Sequence, residues 1–217
     1  MRFDLLKLFS SNQCSLDSLE DSLNHIDDFV FYHYTTFDSR RLDELKSGLH
    51  SLVDVINDKN SLLGSFLYDN GIFIDTSNLT LEFNNEIVEL SSGGDTYTNN
   101  LYQRLTDDYN ISGFLINDFW ANYSTISVHP EILLNLENVI RKELNYNINL
   151  CNCWKQKNFS TYQVKCLAPM DYSNMQLLEN IKASLHNFTN SDRSYDEFLV
   201  TRINPNNIKV LDIQELQ

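Results

Sequence analysis

Phe29-Val30-Phe31-Tyr32-His33-Tyr34-Thr35-Thr36 is the stretch on which the fold turns. It is aromatic or β-branched almost throughout, bounded by Asp27-Asp28 on one side and Asp38 on the other, and it reads as a buried strand. A histidine in the middle of such a strand faces either a core, with its nitrogens satisfied by backbone, or a cleft. Both readings of His33 stand at this point.

Outward from that strand the chain mixes elements without strict alternation. Residues 3–9 are apolar at helical spacing, and Ser15 or Asp17 would cap a second short helix running to Ile26. After the strand, Asp38 or Ser39 caps a helix with Leu42, Leu45 and Leu49 on one face, and Gly48 falls near its end. Tyr68-Asp69-Asn70-Gly71 is a turn leading into the strand Ile72-Phe73-Ile74. Leu79–Leu90 alternates apolar and polar residues in part, and Ser91-Ser92-Gly93-Gly94-Asp95 is a loop. Residues 98–144 are expected to be mostly helical, with Pro130 opening the last helix. The pattern turns β-like from Ile148, and Thr161–Leu167 reads as a strand. Met175–Phe188 follows as an amphipathic helix, with strand-like runs at Tyr195–Ile203 and Ile208–Ile213. This mixture predicts a single α+β domain over residues 1–217, with an N-terminal helical segment at 1–26 and a helical insertion at 91–150.

Composition narrows the function classes. The 217 residues suffice for a sizeable core, with 42% hydrophobic and 12% aromatic residues. Sixteen basic against thirty acidic residues give a formal charge of −14, a field that repels phosphate backbones. The four cysteines, Cys14, Cys151, Cys153 and Cys166, form no zinc or redox motif, which suits reduced thiols in a cytosol-like compartment. No signal peptide and no apolar run long enough to span a membrane is recognised. Expected localisation is therefore cytoplasmic: a bacterial cytosol, or a host cytosol if the chain is exported by a non-classical route.

Three stretches invite chemistry: His33-Tyr34-Thr35 with Gly48-Leu49 after it, Gly71-Ile72-Phe73-Ile74-Asp75, and Tyr195-Asp196-Glu197-Phe198-Leu199-Val200, where an acid interrupts an apolar strand. In order they resemble the ADP-ribosyltransferase superfamily, in its poly(ADP-ribose) polymerase-like branch with a His–Tyr–Glu set. That resemblance implies a split β-sandwich around an NAD⁺ cleft. It implies a cofactor-binding set of His33, Tyr34, Thr35, Gly48, Gly71 and Phe73, with His33 on the adenosine-side ribose and Phe73 stacked on nicotinamide. Glu197 would be the catalytic acid, facing the positive charge that develops at C1′ as nicotinamide leaves. No metal is implied.

Phe73 departs from the family pattern, since a tyrosine is usual there. The Ser-x-x-Tyr that follows in the family is also missing, with Ser77, Thr80 and Phe83 at altered spacing. The implied activity is mono-ADP-ribosylation of a macromolecular acceptor, a protein rather than a nucleic acid. The Asn/Ser/Asp-rich style suggests a bacterial or phage toxin, effector or defence protein. A non-catalytic binding module on the same fold is the rival, and an RNA 2′-phosphotransferase-like activity is a second. Cys151 or Cys153 with His129 or His186 offers a thiol-hydrolase set. Arg40-Arg41 is either a pyrophosphate clamp or a surface ion pair.

Overall fold

The computed structural model describes residues 2–5, 7, 25–117, 128–187 and 199–216. Its centre is the quoted stretch, now β2 (Asp28–Phe37), after a two-residue β1 (Arg2–Phe3). Over its full length β2 pairs antiparallel with β7 (Ser160–Pro169), from Asp28 opposite Pro169 to Phe37 opposite Ser160. On its other edge β1 pairs parallel at Asp28 and Phe29, and β6 (Ile111–Phe114) pairs antiparallel at Tyr32. With β8 (Leu199–Ile203) and β9 (Lys209–Leu216) the sheet runs β8-β6-β2-β7-β9. The expected α+β character is present, with sheets antiparallel apart from β1.

Between β2 and the second sheet the chain forms a 3₁₀ turn at Ser39–Arg41 and three short helices. These are α1 (Leu42–Ser47), α2 (Leu52–Asn57) and α3 (Leu62–Asp69). Each start has a side-chain cap where the sequence supplies one: Asp38 for the 3₁₀ turn, Ser51 for α2 and Ser61 for α3. Gly71, at φ 71°, takes the left-handed step out of α3 that other residues resist. The meander β3 (Ile72–Asp75), β4 (Thr80–Phe83) and β5 (Glu86–Glu89) follows. Asn84 and Asn85, both at positive φ, make its second turn, as a two-residue hairpin requires.

Helices α4 (Thr96–Asp107), α5 (Glu131–Glu143) and α6 (Leu150–Lys155) share a core with this small sheet and α3, built on Leu101, Leu136, Leu81, Phe66 and Trp154. A second core lies on the Phe29 and Phe31 face of the large sheet, under Leu45 and Leu49 and under Leu177 and Ile181 of α7 (Met175–Asn187).

Several expectations are corrected. Arg2-Phe3 is extended rather than helical: Phe3 is buried beside Phe29, and the open edge of β2 binds its backbone. Residues 98–144, expected to be mostly helical, are so over α4 and α5, but β6 interrupts them to fill the place between β2 and β8. Gly113 makes that possible, since a Cβ there would meet the Phe31 ring at 2.5 Å and the Tyr32 carbonyl at 2.7 Å. Tyr109 therefore lies beyond the end of α4 and is exposed. The β-like reading from Ile148 gives way to α6, whose start is held by the Asn149 side chain and by Glu137, which accepts from the Cys151 amide at 2.7 Å. The short helix expected to end at Ile26 lies almost wholly outside the described residues.

Gly113→Ala should destabilise the fold by about 1–3 kcal/mol, as overpacking does, read as a lower urea midpoint. An unchanged midpoint would mean that β6 does not press against β2 as closely as described.

Candidate functional site

Alternation along β2 sorts the candidate residues. Phe29 and Phe31 enter the core beneath α1 and α7, so His33 and Thr35 share that face. Val30, Tyr32 and Tyr34 point the other way and pack with Phe114 and Leu167. Tyr34 is thus separated from His33. Its ring lies 5.9 Å from Phe114, and its hydroxyl accepts from Gln163 Nε2 at 3.1 Å.

His33 is half-buried, with Nδ1 2.9 Å from the carbonyl of Ser112. The carbonyl can only accept, so Nδ1 carries the proton and Nε2 presents a lone pair. No hydrogen bond to Nε2 exists among the described residues. Burial lowers the pKa below its ordinary 6.5, and the Ser112 carbonyl opposes that only in part. A neutral ring fixed at Nδ1 keeps the Nε2 lone pair as its one acceptor for a hydroxyl. The Nδ1 contact fits the core-histidine description, and Nε2 has no partner among the described residues.

Gly48 caps α1 at φ 147° and ψ 172°, a conformation that glycine adopts readily and other residues do not. No atom lies within 4 Å of where a side chain would begin. The adjacent Leu49 packs into the Phe31 core, which brings the Gly48-Leu49 step to the face that carries His33. Opposite Thr35 stands Tyr162, buried, its hydroxyl without a hydrogen-bond partner among the described residues. Sequence reading passed over Tyr162 and Ser112. The polar run Thr161-Tyr162-Gln163 in a β7 otherwise rich in core residues was the available signal for the first; the second is a main-chain contact that no side-chain pattern announces.

Phe73 belongs to the small sheet, and Gly71 is the turn residue just before it. Phe73 is 42% exposed and meets Tyr68 edge-on at 5.5 Å, with Lys59 5.0 Å from the other ring's centroid. Of the substitutes for the missing tyrosine, Phe83 is buried against Tyr146 and Ser77 lies in the Asp75 turn.

Arg40 pairs with Asp38 at 2.6 Å, and Arg41 with Glu44 at 2.5 Å and with the Asn60 carbonyl. The ion-pair reading of Arg40-Arg41 is therefore the one realised. Asp38 is drawn down to a pKa of about 2 by the Arg40 hydrogen bonds.

Glu197 lies outside the described residues, as does Cys14. β8 begins two residues after Glu197, and Leu199 pairs with Phe114, which pairs with Tyr32. The chain just past Glu197 thus stands two strands from β2, one row from His33.

Cys151 and His129, one pairing of the thiol-hydrolase set, are unsuited to that chemistry. Burial first, then the Glu137 carboxylate, pushes the Cys151 thiol up to about 12, far from a nucleophilic thiolate. His129 is turned toward its neighbour's carbonyl, with Nδ1 3.1 Å from Pro130 O. Among the described residues no group of three or more His, Cys, Asp or Glu is placed to hold a metal ion, and no helix is long and apolar enough to cross a membrane. No family model, characterised protein or solved structure matches the chain.

Because His33 titrates lower in the folded chain than in the unfolded one, protons favour the unfolded state below the ordinary value. Stability should fall as pH drops from 7 toward 5, and His33→Gln should lose that part of the slope. Melting temperatures of both proteins across that range test this; parallel slopes would show that His33 titrates as it does in water.

Proposed function

We propose that this chain is an ADP-ribosyltransferase-like split β-sandwich that cleaves NAD⁺ and passes ADP-ribose to a macromolecular acceptor, a protein rather than a nucleic acid. The observation that carries this reading is His33: a neutral imidazole on the central strand, fixed through Nδ1 and without a partner at Nε2 among the described residues, on the face reached by the Gly48-Leu49 step. Two further features support it. An exposed aromatic ring, Phe73, stands on a separate small sheet directly after a glycine turn. The strand that follows Glu197 lies in the same sheet as His33, two strands away.

In this reading Nε2 accepts a hydrogen bond from a ribose hydroxyl and Phe73 offers its face to nicotinamide. The carboxylate of Glu197 holds the ribose 2′-hydroxyl as the bond from C1′ to the nicotinamide nitrogen breaks, with its electron pair leaving on nicotinamide. A nucleophile on the acceptor then bonds to C1′ and gives up its proton. A carboxylate facing the transient positive charge stabilises the transition state more than the ground state.

A non-catalytic module on the same fold is the second reading. Phe73 has no hydroxyl to offer, and Phe83, which might complete an aromatic sandwich, is committed to the core.

One pair of titrations separates the two. NAD⁺ should raise the melting temperature saturably, and Glu197→Gln should keep that rise while nicotinamide release drops by about 10²–10³. No rise up to millimolar NAD⁺ favours the binding module, and full activity of Glu197→Gln removes Glu197 from the reaction.

A further inference from the structure

The small sheet buries one face and leaves the other open. Ile72, Leu81, Phe83 and Val88 point into the core, so Phe73, Asp75, Thr80, Glu82, Ile87 and Glu89 point outward. Register assembles these into rows. Phe73, Glu82 and Ile87 lie side by side across the three strands, and Asp75, Thr80 and Glu89 form the next row. Ile87 is 65% exposed, and Tyr68, 50% exposed, extends the first row through its contact with Phe73. Single exposed apolar side chains are ordinary; here Tyr68 and Phe73 on one side and Ile87 on the other flank the Glu82 carboxylate on an open sheet face, a mixed apolar and acidic surface of the kind that binds a partner.

The charges on this face say what it binds. Glu82 and Glu89 have no cationic partner among the described residues. Asp75 is held as a carboxylate by the amides of Ser77 and Asn78 and by the Asn78 side chain, which lower its pKa. The cation placed at this row is Lys59, over the Tyr68 ring. A second copy of the chain would bring the same acidic face and another formal charge of −14, and nucleic acid or an anionic membrane would be repelled likewise.

We propose that the open face of β3–β5 docks an extended, basic segment of a partner protein. Its apolar side chains would seat on Phe73 and Ile87, and its lysines or arginines would meet Glu82 and Glu89. The peptide would share Phe73 with the nicotinamide of the reading above, so the test is run without NAD⁺, and the variants below leave Phe73 untouched.

The test uses the full chain and a short labelled peptide alternating valine with lysine, followed by fluorescence anisotropy at about 0.15 M salt. Ile87→Thr keeps a β-branched residue and the net charge; it should weaken binding roughly tenfold, as loss of an interface anchor does. Glu82→Gln with Glu89→Gln should weaken it at least as much. Glu179→Gln with Glu215→Gln removes the same charge elsewhere, from exposed positions, and should change it by less than about twofold. Equal losses from the two charge pairs, or no effect of Ile87→Thr, would show that the peptide senses bulk acidity only and would overturn the proposal. So would a wild-type dimer in sedimentation that Ile87→Thr dissociates, since the face would then belong to a second copy. Amide exchange offers a readout without mutation: the peptide should slow exchange in β3–β5, and protection confined to other strands counts against the site.

Discussion

Everything described here hangs on one pairing, the ten-residue antiparallel register of β2 with β7. β2 is buried on both faces, with Phe29 and Phe31 in the α1 and α7 core on one side and Val30, Tyr32 and Tyr34 clustered with Phe114 and Leu167 on the other. Side chains alternate with period two, so a slip of one residue would exchange the two sets. Phe29 and Phe31 would then lose their core, and His33 would leave the side of Gly48-Leu49. The position of the histidine is thus a consequence of where phenylalanines must be buried, and no local preference of its own is needed.

The second sheet is tied to the first at the far end of β2. Phe37 packs against both cores, and Trp154 Nε1 donates to the buried Thr36 hydroxyl at 3.0 Å. Phe66 and Phe159 flank the Trp154 ring edge-on, each 4.9 Å away, so the indole is held by apolar packing and aimed by one polar bond. Leaving that bond unmade would strand a buried donor and a buried acceptor, which costs about 1–3 kcal/mol for each group. The relative placement of His33 on one sheet and Phe73 on the other passes through this junction.

Long, strongly patterned elements were legible from residues alone: β2, β7, α7 and the Ile72–Ile74 strand stand where aromatic, β-branched or amphipathic runs put them. β6 was not, because four residues containing a serine and a glycine carry almost no strand signal. They are extended because β2 and β8 flank the gap they occupy, a cause that lies about eighty residues away on each side. α6 misled in the opposite direction: its apolar side chains suit a strand, while its helical start depends on Asn149 nearby and on Glu137 from another helix. For the candidate site, the choice of His33 and its face followed from alternation. The tautomer did not, since a main-chain carbonyl at Ser112 sets it.

The acidic balance of the chain shapes its chemistry more than its fold. Cations near the candidate site are already engaged: Arg40 by Asp38, Arg41 by Glu44, and Lys165 by Asp4 while it lies over the Tyr32 ring. Burial disfavours the charge on Lys165, but Tyr32 and Asp4 outweigh it and raise its pKa. A phosphate reaching Arg40 must compete with a carboxylate that stays ionised down to about pH 2. That argues against chemistry in which several arginines close on a transferred phosphate, as the 2′-phosphotransferase alternative needs. It is compatible with a reaction whose charge develops on a sugar carbon, where the helpful field is negative and a protein with thirty acidic residues supplies it readily.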